Sequence, residues 1–183
     1  FASMGAALVV RDCSFENCQS LAHAGPVDSL YQGGGAIFVE GTGALAVEGS
    51  SFTECQAPHG AGGAILIQAP SVANAAEQLL SVSSSRFDEC SAAITGGGVA
   101  IVVSLGSGAG SSAPSVRGVL LDATNFTKSK LRGNHSYGGA LYLRYYGVPA
   151  ANLINEIREC RFEDAELVAV EGGAPNSVGG AGI

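Results

Sequence analysis

Leu45-Ala46-Val47-Glu48-Gly49-Ser50-Ser51-Phe52-Thr53-Glu54-Cys55 returns 35 residues later as Leu80-Ser81-Val82-Ser83-Ser84-Ser85-Arg86-Phe87-Asp88-Glu89-Cys90. Leu, Val, Ser, Phe and Cys keep their offsets. Further copies centre on Phe15, Phe126 and Phe162, so the five Phe are spaced by 37, 35, 39 and 36 residues. A Gly-Gly pair follows each Phe: Gly34-Gly35, Gly62-Gly63, Gly97-Gly98, Gly138-Gly139 and Gly179-Gly180. Five copies of one short unit mark a stacked repeat protein, in which no unit buries its apolar face alone.

Aligned on the Phe, the units show period-2 alternation. Seven residues before it stand Leu8, Leu45, Leu80, Val119 and Asn155; five before it stand Val10, Val47, Val82, Leu121 and Ile157. Polar residues follow at Arg11, Glu48, Ser83, Asp122 and Arg158. That is a strand with one buried face. Small residues flank the Phe, with Cys13, Ser50, Ser85, Thr124 and Cys160 two before it and Cys18, Cys55, Cys90, Ser129 and Ala165 three after. A second strand follows each Gly pair. Aligned on those pairs, Ile37/Ile65/Ala100/Leu141 and Val39/Ile67/Val102/Leu143 are predicted to point inward. Phe38, Leu66, Ile101 and Tyr142 then point outward as an apolar interface stripe for a neighbouring subunit or domain.

The expected fold is all-β, a right-handed parallel β-helix (solenoid) of about five rungs of roughly 36 residues, with no α-helical domain. Residues 1–183 are read as a single β-helix segment, an excerpt of a longer repeat array. The Gly pairs are expected to turn the corners in left-handed conformations. Loops are expected at 19–33, 69–78, 105–118, 145–153 and 166–178. A propeller or sandwich needs antiparallel hairpins, and their tight two-residue turn signals are missing.

Composition narrows the function. Hydrophobic residues make up 46% of the chain and charged residues 14%, which suits packed β structure rather than disorder. A net charge of −7 with nine Lys and Arg, and no basic run, disfavours nucleic acid as a partner. No apolar run approaches the roughly 20 residues of a helical membrane span, so no direct membrane insertion of this segment is expected.

At Gly34-Gly35-Ala36-Ile37 and Gly62-Gly63-Ala64-Ile65, and nearly at Gly138-Gly139-Ala140-Leu141, the chain resembles the chlamydial polymorphic outer membrane proteins, which repeat Gly-Gly-Ala-Ile and Phe-x-x-Asn motifs. Similar motifs occur in large surface proteins of algae and other protists, within the broad pectin-lyase-like class. The resemblance implies a right-handed β-helix. In place of the family's Asn this chain carries Cys18, Cys55, Cys90, Ser129 and Ala165. That departure favours a eukaryotic surface or extracellular protein over a bacterial one.

Candidate chemistry is sparse. Cys18, Cys55 and Cys90 fall in one column, where stacking at ~4.8 Å lies within disulfide reach. They read as buried free thiols; one bond in the column, or Cys13 with Cys18, is the alternative. No close Cys/His quartet exists for zinc, and no cofactor is expected. Asn125-Phe126-Thr127 and Asn134-His135-Ser136 are glycosylation sequons, which make Asn125 and Asn134 candidate glycan acceptors of a secretory route. His59 and His135 are expected in exposed turns. Asp88-Glu89 and Glu163-Asp164 face opposite ways on strands and make no ready acid/base pair. Arg144 and Arg158 are expected to stand alone. The leading expectation is a structural or adhesive segment of a large cell-surface or extracellular protein, without enzymatic activity, partnered by other subunits or neighbouring domains and in part by glycans. The alternatives are a glycan-binding module, favoured by Tyr31, Tyr137, Tyr145 and Tyr146, or a polysaccharide lyase or hydrolase.

Overall fold

The computed structural model describes residues 2–4, 7–21, 33–41, 44–69, 78–104, 116–131, 139–146, 153–164 and 169–172. Among them all regular structure is strand, and every strand pairing is parallel. Four sheets result, and in each the strand order follows the order of the repeats. The aliphatic sheet holds β2 (Leu8–Arg11), β5 (Leu45–Glu48), β9 (Leu80–Ser83), β13 (Val116–Asp122) and β17 (Leu153–Arg158). The phenylalanine sheet holds β3 (Ser14–Glu16), β6 (Ser51–Thr53), β10 (Arg86–Asp88), β14 (Asn125–Thr127) and β18 (Arg161–Glu163). A short sheet follows with β7 (Gln56–Ala57), β11 (Ser91–Ala92) and β15 (Lys130–Leu131). The glycine-led sheet holds β1 (Ala2–Met4), β4 (Ile37–Glu40), β8 (Ile65–Ala69), β12 (Val99–Ser104), β16 (Leu141–Tyr146) and β19 (Ala169–Gly172). Successive units thus lend strands to the same parallel sheets, the short sheet drawing on the second to fourth units only, in keeping with a β-solenoid.

The interior is a set of stacked columns. Successive Phe rings lie 4.8, 4.7, 4.7 and 5.0 Å apart and within 8° of parallel. Isolated aromatic pairs avoid a face-to-face sandwich; here the interstrand spacing of about 4.8 Å sets the separation. Phe52, Phe87 and Phe126 are fully buried, against Leu45, Leu80, Val47, Val82, Ile65 and Ile67. Leu8 pairs with Leu45 and Val10 with Val47 in the expected register.

The fifth unit departs from the aliphatic pattern in an explicable way. Between β13 and β17 the pairing skips from Arg117↔Ile154 to Leu120↔Glu156, so Gly118 and Val119 together oppose Asn155. This is a β-bulge. The Asn155 Oδ1 accepts the Val119 N–H at 3.0 Å and the Tyr145 hydroxyl at 2.8 Å. Its polar atom is thereby satisfied in a column otherwise aliphatic. Any side chain at Gly118 would meet the Tyr145 hydroxyl oxygen at 2.0 Å.

The third unit is one residue out of the register expected from sequence. Val99, not Ala100, pairs with Ile65 and Leu141; Ile101 pairs with Ile67 and Leu143. Gly96-Gly97-Gly98 offers two choices of pair, and backbone geometry selects the first. Gly96 is left-handed at φ 59°, as Gly34 and Gly62 are at 68° and 65°. Gly98 takes the place of Ala36, Ala64 and Ala140, ahead of the strand. The two glycines of a pair also differ in role. The first supplies the positive φ. The second tolerates crowding: a Cβ on Gly63 would lie 2.0 Å from the Gly97 carbonyl oxygen and 2.6 Å from that of Ser91.

Two further corners per unit use left-handed residues that are mostly not glycine. One column, three before the Phe, is Asp12, Gly49, Ser84, Ala123 and Glu159; the other, two after it, is Asn17, Glu54, Glu89, Lys128 and Asp164. Their φ values lie between 45° and 57°. Each such non-glycine residue costs on the order of 1 kcal/mol. The stack offsets this, since Asp12, Asn17, Glu54, Ser84, Glu89, Ala123 and Lys128 each donate their N–H to a carbonyl of the next unit. The small residue that follows each corner then bonds back across it. Ser50, Ser85 and Thr124 donate to the carbonyls of Glu48, Ser83 and Asp122 at 2.8–2.9 Å. Cys18, Cys55 and Cys90 do the same to Glu16, Thr53 and Asp88 at 3.5–3.7 Å. Ser129 is the exception, for its buried hydroxyl has no partner.

Candidate functional site

The outer face of the phenylalanine sheet is the candidate site. Every residue beside an inward Phe must point outward, so the face presents Ser14, Ser51, Arg86, Asn125 and Arg161 in one column. Glu16, Thr53, Asp88, Thr127 and Glu163 form the next. None of the ten is buried. The face is knit internally: the Ser51 hydroxyl donates to Ser14 Oγ at 3.2 Å, Arg86 pairs with Asp88 at 2.8 Å, and Arg161 pairs with Glu163. Beside it Lys128 bridges to Glu89 of the preceding unit at 2.7 Å. That hydrogen bond and charge hold the Glu89 carboxyl below its ordinary value, and hold Lys128 above its own. Donors and acceptors thus repeat at the strand spacing over five strands, with both charge signs interleaved. Such a flat, polar ladder can bind a polar polymer or a protein surface.

Asn125 lies on this face, exposed, between Arg86 and Arg161. Thr127, two residues on, points the same way, so both sequon groups face out. Asn134 lies outside the described residues, as do Tyr31, His135, Tyr137 and the last Gly pair.

Asp88 and Glu89 engage Arg86 and Lys128, and Glu163 engages Arg161. Arg158 does not stand alone: it pairs with Glu156 at 2.5 Å. Arg144 bonds the Tyr142 hydroxyl at 3.5 Å. His59 is exposed in a turn. Tyr145, expected on a loop face, is instead in the core, where burial pushes its hydroxyl well above the ordinary tyrosine value.

The outward stripe is corrected on two counts. Ile101 belongs to the interior, because of the register shift in the third unit; Ala100 occupies its place in the outer column. Nor is the column open. Leu66, Ala100 and Tyr142 are fully buried within this one chain, in a second apolar cluster with Ala61 and Val102, and Phe38 is half-buried against it. The glycine-led sheet therefore buries apolar side chains on its outer face as well, in this one column, while Glu40, Gln68 and Arg144 stand in the next.

The cysteines of the column differ in burial. Cys55 and Cys90 are fully buried, Cys18 is half-buried, and all five cysteines are free. Interunit bonds from the Gln56 N–H to the Cys18 carbonyl and from the Ser91 N–H to the Cys55 carbonyl set Cys55 one strand spacing from both Cys18 and Cys90. The hydrogen bond with Cys55, then burial, pushes the Cys90 thiol up; the same bond favours the Cys55 thiolate. Burial, then Cys55, raises Cys18. Three thiols in line do not converge on a point, and among the described residues no cluster of His, Cys, Asp and Glu could hold a metal ion.

No family model matches the chain, and searches against curated proteins and solved structures return no match.

Proposed function

We propose that this chain is a structural or adhesive segment of a large cell-surface or extracellular protein, built as a right-handed parallel β-helix of about five rungs. The observation that carries the reading is the unbroken stack of five Phe rings under a continuous parallel sheet. A hydrogen-bonded stack of this kind resists bending and stretching because every unit is tied to the next along several strands at once. The right hand follows from the strong preference of parallel strand crossovers for that sense. The polar outer face then mediates assembly with other subunits, neighbouring domains or surface components. The resemblance to surface β-helix repeats agrees with this, as do the sequons at Asn125 and Asn134, which fit passage through a secretory route.

A second reading, a glycan-binding module, is favoured by the ladder of hydroxyl, amide and charged groups at regular spacing. A polysaccharide lyase or hydrolase is the third. One experiment separates them. The purified chain is presented to a polysaccharide array and to intact cell walls, and bound material and released sugar are both measured. The structural and adhesive reading expects binding that falls when Arg86 and Arg161 are both changed to Ala, with no released oligosaccharide. Binding confined to one defined glycan moves the assignment to the second reading. Release of cleaved ends overturns both.

A further inference from the structure

We propose that Cys18 and Cys55 form a thiol–disulfide exchange site that closes on a small-molecule disulfide of the glutathione class, stapling the first unit to the second while Cys90 stays reduced. The pairing follows from reach and access. Cys55 neighbours both other thiols of the column, so it can join one of them and no more. Cys90 is fully buried and its sulfur donates to two carbonyls, of Phe52 and Asp88, both at 3.5 Å. Cys55 is equally buried and donates to Phe15 and Thr53 at 3.6 and 3.7 Å. Cys18 is half-buried and makes one long contact, to Glu16 at 3.7 Å. Within the column it is the thiol that a solvent-borne disulfide meets and the one that loses least by turning.

The other cysteines are out of range. Cys13 and Cys18 lie five residues apart on either side of the three-residue strand β3, an extended path that keeps their Cα atoms beyond the roughly 7 Å limit of a disulfide. Cys13 and Cys160 head the two ends of their own column, four strand spacings or roughly 19 Å apart.

The chemistry balances. The Cys18 thiolate attacks one sulfur of the external disulfide; that S–S bond breaks, and the first small thiol departs with the proton Cys18 gave up. The Cys55 thiolate then attacks the Cys18 sulfur and displaces the second small thiol, which takes the Cys55 proton. Two protein thiols are oxidised and one external disulfide is reduced to two thiols. Cys90, its sulfur turned to the Phe52 and Asp88 carbonyls, takes no part in either step.

The native chain is incubated with oxidised glutathione, quenched by acid, alkylated after unfolding and mapped by mass spectrometry. A single internal Cys18–Cys55 bond with alkylated Cys90 is the expected product. Cys55→Ser stops at the mixed disulfide on Cys18. Cys18→Ser slows formation of any column disulfide by roughly tenfold or more. Cys90→Ser leaves both steps and the Cys18–Cys55 product unchanged. Ser129 already occupies the next place in the column, so serine fits there, and circular dichroism checks that each variant folds. A Cys55–Cys90 bond in the native chain overturns the proposal. So does oxidation of Cys18→Ser at the native rate, or a Cys18 mixed disulfide that never resolves.

Discussion

The glycine-led corner and the two corners flanking each Phe have nearly the same backbone twist but opposite tolerance for side chains. At Gly62 φ is 65°, and a Cβ would meet the Ile65 carbonyl oxygen at 2.2 Å. At Glu54 and Glu89 φ is 53° and 52°, yet both carry long side chains into solvent. Twist alone does not demand glycine. What demands it is backbone packed against the site where Cβ would go. At the flanking corners no backbone crowds that site, the one close approach being the Asp12 side chain at Gly49, and they meet the cost of positive φ with an interunit N–H bond and a small polar side chain that spans the turn.

The largest expected effect lies at the crowded corner. Gly63→Ala puts a methyl group against two backbone carbonyls of the neighbouring unit and is expected to cost about 3–5 kcal/mol; chemical denaturation reads the loss. Ser85→Ala attacks the flanking corner. Its hydroxyl both accepts the Ser50 N–H at 3.1 Å and donates to Ser83 at 2.8 Å, so the loss is expected at about 1–3 kcal/mol. A cost as large as that of Gly63→Ala would mean the two corners are held in the same way.

Smaller changes sharpen the contrast from the other side. Ser129→Cys gives an unpartnered corner hydroxyl the longer reach of sulfur seen at Cys90, and is expected to gain about 1 kcal/mol. Ala123→Gly relieves positive φ at 45° where no side-chain contact is lost, for a gain of about 0.5–1 kcal/mol in thermal or chemical unfolding. Lys128→Ala releases Glu89, whose carboxyl then titrates at a higher pH by NMR. The sign follows from the depressed value: the pair's stabilisation is present above the unfolded carboxyl pKa and fades as pH falls through the folded one. Because both groups are exposed, the titration shifts while unfolding barely moves.

Much of this was legible in the repeat. Leu45 and Leu80, Val47 and Val82, and Phe52 and Phe87 pair as their common offsets require. The polar outer face is a corollary, since the neighbours of an inward Phe must turn out. Other features were not legible. Gly96-Gly97-Gly98 satisfies the pattern in two registers, and only the φ at Gly96 and the crowding at Gly97 choose between them. One signal was available: in the chosen register Val99 and Ile101 join columns that elsewhere hold only Ile, Val and Leu. The left-handed turns at Ser84, Ala123 and Lys128 leave no residue preference to read, because the neighbouring unit supplies the compensation. Tyr145 read as a loop aromatic because its partner, Asn155, sits ten residues away behind the Gly118 bulge.

The sequence by itself determined the unit, its parallel stacking and the columns of Phe, small residues and thiols, because those follow from identity recurring at a fixed period. Tertiary structure alone decided which glycine turns and which merely makes room. It also decided that Leu66 and Tyr142 are buried while Ser51 and Arg86 are open to solvent. The reason is physical. Periodicity reports which side of a strand a residue shares with its counterparts. Whether that side meets water depends on what the rest of the chain lays over it.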